Sequence, residues 1–300
     1  MSEIAGARAE VVAAFENDRR RLLFRQRAHA LAGALAFSAV LAISLRSSGF
    51  VGADIGGDPL GRVAMFLDRL APDLRSEALL AGRATQGSLA WWFYDLPHWL
   101  RAAWQTLEMA ILATALGALG AAAASFLCAR NLSPWPPLRF LVRRSLEAVR
   151  TLPDLVLALI LVAAFGVGPF AGVLALSIST IGGLGKLFAE INEQIDPRPI
   201  EALEASGAGR LRQIRYGVLP QVLPAFASYA LIRLEGNLAG AAALGIVGAG
   251  GIGLDLQRAI TYTEFDTYFA ILLLIVAMIF AIDLVSEKIR HRLIGLEGAR

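Results

Sequence analysis

Long apolar runs alternate with short polar, arginine-bearing segments along this chain of 300 residues. A helix needs about 20 mostly apolar residues to cross the hydrocarbon core of a bilayer. By that measure six spans are predicted: 28–45, near 102–129, 152–165, 170–187, 221 to about 240, and 268–285. The third is short and is followed by the turn signal Gly166-Val167-Gly168-Pro169. Arg19-Arg20-Arg21 ahead of the first run also suits a secretory signal peptide. That run is long for a signal core, however, and Leu45-Arg46-Ser47-Ser48 offers no small-x-small cleavage site, so a retained anchor is predicted. Leu60, Val63, Phe66, Leu67 and Leu70 recur at helical spacing and predict a short helix. It lies on the outer membrane surface or forms a small packed outer subdomain. Trp91, Trp92, Trp99 and Trp104 cluster with Phe93 and Tyr94 at the start of span two, as an interfacial aromatic belt would.

The fold class predicted is all-α and polytopic. Mean hydropathy of +0.59 and 56% hydrophobic residues exceed what a soluble domain of this length could cover with polar surface. Orientation follows from lysine and arginine, which concentrate in cytoplasmic loops. With the N-terminus in the cytoplasm, the inner pieces 1–27, 130–151, 186–220 and 287–300 hold 20 of the 28. The predicted organisation is therefore a cytoplasmic tail (1–27), an anchor (28–45), an outer loop (46–100), a core (101–286) containing a cytoplasmic loop at 188–220, and a cytoplasmic tail (287–300). A net charge of +3 gives no reason to expect nucleic acid as a partner. Cys128 is the only cysteine, and His29, His98 and His291 show no ligand spacing. No cofactor and no metal site are predicted, and no residue is assigned a catalytic role.

The polar stretch between the fourth and fifth runs has an internal logic. Asp196 can cap a helix whose first turn carries Pro197 and Pro199, and Glu201 to Ala205 are good helix formers. Gly207 and Gly209 interrupt that helix, Arg210, Arg212 and Arg215 begin a second, and Gly217 and Pro220 turn the chain into the fifth run. The sequence Glu201-Ala202-Leu203-Glu204-Ala205-Ser206-Gly207, closed by Val218-Leu219-Pro220, resembles the cytoplasmic "EAA" loop of ABC importer permeases. The resemblance implies a short helix docking into a groove on a separate ATPase, through Glu201, Ala202, Ala205, Gly207, Arg210, Leu219 and Pro220. Two positions depart from the family's pattern: Leu203 stands where it has alanine, and Gly217 where it has isoleucine.

GAGRLRQIRYGVLPQVLP (207–224), YALIRLE (229–235) and ALGIVGAGGIG (243–253) together look like the permease of phosphonate-type importers. The resemblance covers roughly Trp99 to the C-terminus and is strongest over 201–260. It implies a type I ABC importer permease for phosphonate, phosphite or phosphate. Two ATPase subunits, an extracytoplasmic solute-binding protein and a second permease copy or paralogue would be its partners, in an inner membrane whose lipid surrounds it. A permease for methionine or another small organic solute is the alternative, since methionine-type permeases share the glycine element. A secondary transporter is a further alternative, with Glu108 and Glu235 as its ion sites.

Gly245, Gly248, Gly250, Gly251 and Gly253 permit close backbone packing and broken helix geometry, which places 244–253 at a pathway or dimer contact rather than against lipid. No G-x-x-x-x-G-K-[ST] occurs, so ATP must be hydrolysed on another polypeptide. Glu108, Arg233, Glu235 and Asp283 are charges within apolar runs and mark a cavity or a partner. Arg233 either meets an anion in transit, through a guanidinium shaped for phosphonate or phosphate, or pairs with Glu108 or Asp283 to lock helices; the second is favoured. Glu235 and Asn237 are candidates to line the pathway.

Overall fold

The computed structural model describes residues 2–49, 58–133 and 135–295. The chain divides into two compact units, 1–65 and 66–300. The first is dominated by α1 (Ser2–Ser47), of which Arg19–Ser47 is long and apolar enough to cross a membrane. Leu31, Leu35, Phe37, Val40 and Ile43 are all exposed, as suits a helix solvated by lipid. α2 (Pro59–Leu70) straddles the division. It begins where the Asp58 carboxylate accepts the Gly61 amide at 2.9 Å, and its apolar face forms at the spacing read from the sequence.

The second unit is a helical bundle without strands among the described residues. Its elements are α3 (Leu89–Trp92), α4 (Leu96–Cys128), α5 (Pro136–Thr151), α6 (Asp154–Phe165), α7 (Pro169–Glu193), α8 (Arg198–Ala205), α9 (Arg210–Arg212), α10 (Leu219–Leu244), α11 (Ile252–Thr261) and α12 (Phe265–Gly295). Helices α4 and α7 form the central pair. They approach closely because glycines sit at the crossing: a methyl group on Gly117 would lie 2.5 Å from Thr180, and one on Gly172 would lie 2.5 Å from Met109. Around this pair Ala110, Ala113, Leu176, Leu238 and Leu244 are buried, bringing α10 into the same core.

Four helices of this unit are long and apolar enough to span, within Leu96–Cys128, Pro169–Glu193, Arg210–Val247 and Phe265–Leu293. The third predicted span needs correction. α6 has only 12 residues, about 18 Å of helix, short of the roughly 30 Å required. It follows α5 across a 92° bend at Leu152-Pro153, and the pair is long and apolar enough only together, as a broken span or a re-entrant loop. The cause is local: proline has no amide to donate and pushes the preceding residue to extended backbone, here Leu152 at φ −78°, ψ 124°. The tryptophan belt is also revised. Trp92 and Trp99 are buried against Ala270, Ile271 and Ile275, and the Trp92 indole donates to the Asp266 carbonyl at 2.9 Å. Trp104 remains exposed.

Candidate functional site

At one end of the bundle α8 turns one face away from the core while Ile200 packs against it. Glu201, Ala202, Glu204 and Ala205 are exposed, while Ile200 and Leu203 turn inward onto Gly217. The helix ends in a Schellman turn. Gly207 takes φ +77°, its amide donates to the Glu204 carbonyl at 2.9 Å, and the Ala208 amide donates to the Leu203 carbonyl at 2.9 Å. That conformation is why glycine stands at 207. Asp196 acts one residue outside the helix, accepting from the Arg198 amide at 3.0 Å. Gln221 ties the start of the loop to α10, accepting from the Asp196 amide at 3.0 Å and donating to the Gly217 carbonyl at 2.6 Å. Arg210 donates to the Leu132 carbonyl in the turn after α4. A π-helical turn, Gln213–Val218, leads into Leu219 and Pro220 at the first turn of α10.

The two departures from the loop pattern meet in space. A methyl group on Gly217 would lie 3.2 Å from Leu203 Cδ1 and 3.2 Å from Ile200 Cγ1. The larger residue at 203 occupies room that the smaller residue at 217 vacates.

At the other end, the glycine run folds back on the bundle. A 3₁₀ turn, Gly245–Val247, is followed by left-handed or extended glycines: φ is +89° at Gly248, +86° at Gly250 and +73° at Gly251. Gly168 donates to the Gly248 carbonyl at 3.0 Å, and Gly250 lies against Pro169, so the turn between α6 and α7 is part of the same structure. Thr106 Oγ1 accepts the Ile252 amide at 2.9 Å, and Gln105 accepts the Gly251 amide at 3.2 Å. Gly253 abuts Gly245 and the Ala242 carbonyl, with no room for a side chain. Beside this turn opens a cleft of about 970 Å³ lined by His98, Arg101, Gln105, Glu108, Asp255 and Arg258. Asp255 is held between His98 at 3.2 Å and Arg258 at 3.3 Å, and Glu108 accepts from the Trp104 indole at 2.6 Å.

Between the two ends lies a polar chain in an otherwise apolar core. Arg233 on α10 donates from Nη2 to Ser179 Oγ at 2.8 Å and from Nε to Thr180 Oγ1 at 3.2 Å. Asn237, one turn on, donates to Thr180 Oγ1 and to Thr114 Oγ1, both at 2.9 Å. Ser179 in turn donates to Asp154 Oδ1 at 2.6 Å. The pairing of Arg233 with Glu108 or Asp283 is not formed: Glu108 sits at the cleft beside the glycine turn, and Asp283 stands beside Glu235 of α10. Glu235 has its own partner, Arg290 Nη1 at 3.9 Å, an ion pair too long to be a hydrogen bond. The structure thus joins Arg233 and Asn237 in one site and sets Glu235, Glu108 and the glycine turn apart from it. Ser179, Thr180, Thr114 and Asp154 complete the site. In the sequence they look like ordinary helix-packing and capping residues.

The sequence profile described as binding-protein-dependent transport system inner membrane component matches residues 117–295. The phosphite transport system permease protein PtxC of Stutzerimonas stutzeri is 39% identical over 217 residues, which is 72% of this chain and 78% of that protein. The phosphate-import permease protein PhnE of Mycolicibacterium smegmatis is 42% identical over 193 residues, 64% of this chain and 36% of that protein. Among solved structures, an inward-facing MetNI methionine ABC transporter superposes with a TM-score of 0.55 at 22% identity, covering 65% of this chain and 95% of that one. A bacterial ABC transporter that imports the acidic polysaccharide alginate gives 0.59 at 14% identity, covering 87% and 98%. At these identities the structural likeness concerns the fold: that of type I importer permeases.

Proposed function

Since the chain belongs to the binding-protein-dependent transport system inner membrane component family, we propose that it is the membrane-spanning subunit of an ATP-driven importer of a phosphorus oxyanion. Two permeases similar to it in sequence are named for phosphite and phosphate import, and both match it over more than 190 residues. Two ATPase subunits work beneath it, a solute-binding protein delivers cargo from outside, and a second copy or a paralogue completes the pore. It sits in the inner membrane with both termini in the cytoplasm. It carries out no covalent chemistry of its own.

The observation that carries the reading is α8. It is short, exposed, stopped by a Schellman turn, and presents Glu201, Ala202 and Ala205 outward while its remaining face is fixed to the π-helical turn. A helix that transmits force to a partner must be rigid on one side and closely approachable on the other, and small side chains allow that approach. Arg210 locks the loop to the end of α4, and Leu219 and Pro220 pass any displacement directly into α10. Within the membrane, Arg233 meets the anion in transit, and Asn237, whose two amide hydrogens go to Thr180 and Thr114, holds Thr180 in place along the pathway. Glu235 and Glu108 lie along the route. The turn containing Gly248, Gly250, Gly251 and Gly253 closes its outer end.

Uptake of radiolabelled phosphonate, phosphite, phosphate and methionine by cells expressing this chain with its ATPase and binding protein tests the reading. The double change Glu201→Arg plus Gly207→Asp should abolish uptake of one phosphorus oxyanion with membrane levels unchanged. Undiminished uptake in the mutant, uptake without an ATPase, or transport of methionine alone would overturn it.

A further inference from the structure

The Arg233 guanidinium spends two of its five N–H donors on Ser179 and Thr180, and the other three have no partner among the described residues. Its nearest acid in the chain of hydrogen bonds, Asp154, is reached only through the Ser179 hydroxyl. The direction of this relay is fixed. A hydroxyl has one hydrogen, and Ser179 is 2.6 Å from an acceptor-only carboxylate and 2.8 Å from a donor-only guanidinium, so it must donate to the first and accept from the second. Asp154 is brought here by the bend at Leu152-Pro153: it opens α6 immediately after it. Ser179 lies about 15 Å along α7 from Pro169, near the middle of a helix long and apolar enough to span.

A direct, bidentate Asp–Arg pair would occupy the fork of donors that an oxyanion needs. An arginine with no acid nearby would hold a phosphorus oxyanion tightly at low dielectric. The relay gives neither. It fixes the guanidinium and leaves three donors free, while a carboxylate one hydroxyl away weakens its attraction for a second anion. A transported ion must bind well enough to enter and weakly enough to leave. Resting on the reading of this chain as a phosphorus-oxyanion importer, we propose that Asp154, acting through Ser179, is the positioning residue that tempers Arg233, so that the anion passes and is not trapped.

The test uses the assembled transporter in lipid nanodiscs and in proteoliposomes. Retention of labelled inorganic phosphate, phosphite and methylphosphonate is measured with the binding protein omitted, and the maximal uptake rate with the binding protein saturating. Asp154→Asn keeps a hydrogen-bond acceptor and removes the charge. It should raise retention about tenfold while lowering the maximal uptake rate. Ser179→Ala should lower retention, because Arg233 loses its anchor, and Ser179→Thr, which keeps the hydroxyl, should recover most of that loss. A merely structural role would lower retention and uptake together in both Asp154→Asn and Ser179→Ala. Unchanged or reduced retention in Asp154→Asn overturns the proposal, as does Ser179→Ala with wild-type retention; should Asp154→Asn fail to assemble, Asp154→Ser, equally uncharged and well suited to the start of a helix, takes its place with the same expected rise in retention. Failure of this proposal alone leaves intact wild-type oxyanion uptake and its loss in Arg233→Gln. If the wild type neither retains nor imports any of the three anions, the importer reading fails, and this proposal with it.

Discussion

At the scale of single residues, the contact between Leu203 and Gly217 explains how the exposed helix keeps its footing while two positions of its pattern change. Restoring isoleucine at 217 alone would force a branched side chain into space already filled by Leu203 and Ile200, where even a first carbon would lie at 3.2 Å. Overpacking of this kind costs about 1–3 kcal/mol, so Gly217→Ile should lower the thermal unfolding temperature of the purified protein. Leu203→Ala alone empties the same space and should also destabilise. The pair Leu203→Ala with Gly217→Ile should recover most of the loss, giving a coupling of at least about 0.5 kcal/mol in a double-mutant cycle, as residues in direct contact do. Simple additivity of the two penalties would show that the contact does not set the loop. Gly207 needs separate treatment: its constraint is backbone conformation at φ +77°, with open space around it, so no second-site change of volume should rescue Gly207→Ala.

At the scale of elements, the turn after α10 depends on α4. Thr106 is fully buried, and its hydroxyl accepts the amide of Ile252 at the start of α11. Thr106→Val keeps the shape and removes the acceptor, leaving a buried N–H unsatisfied at a cost of about 1–3 kcal/mol. The expected result is faster hydrogen exchange at Ile252 and a lower unfolding temperature, with Thr106→Ser close to wild type; equal protection in the valine variant would contradict the assignment. This element also shows where sequence reading stops. The glycines of 244–253 were legible as a place of broken helix geometry, and Gly248, Gly250 and Gly251 do take positive φ values that side chains rarely adopt. The threonine and glutamine that pin them lie some 146 positions away, in an apolar helix where nothing in the spacing singles them out. For the same reason Arg233 was legible as a costly charge, while Ser179 and Thr180, which accept its hydrogen bonds, and Asp154, which accepts from Ser179, were not. The long apolar runs gave their helices directly, since burial in lipid requires little beyond length and composition. The bend before α6 escaped notice because α5 carries five charged residues and reads as a loop until it is seen continuing α6.

At the scale of the whole molecule, the proposed transport cycle requires α8 and the turn after α11 to face opposite sides of the membrane. The helices that separate them are α10, which rises from the exposed loop to the glycine turn, and α12, which begins just beyond α11. Cys128 is the only cysteine and is fully buried, so a cysteine-free background costs one conservative change, Cys128→Ala. In that background Ser206→Cys and Glu264→Cys each place a single thiol at an exposed position in a connection between helices. In intact cells a membrane-impermeant maleimide should label position 264 and leave position 206 unlabelled; in inverted vesicles the pattern should reverse. Co-expression of the ATPase should then protect position 206 without affecting 264, because the docked partner covers the end of α8. Labelling of both sites from one side would contradict the orientation read from the arginines. Correct sidedness without protection by the ATPase would keep the orientation and remove α8 from the coupling contact, and with it the route by which nucleotide binding moves α10 and Arg233.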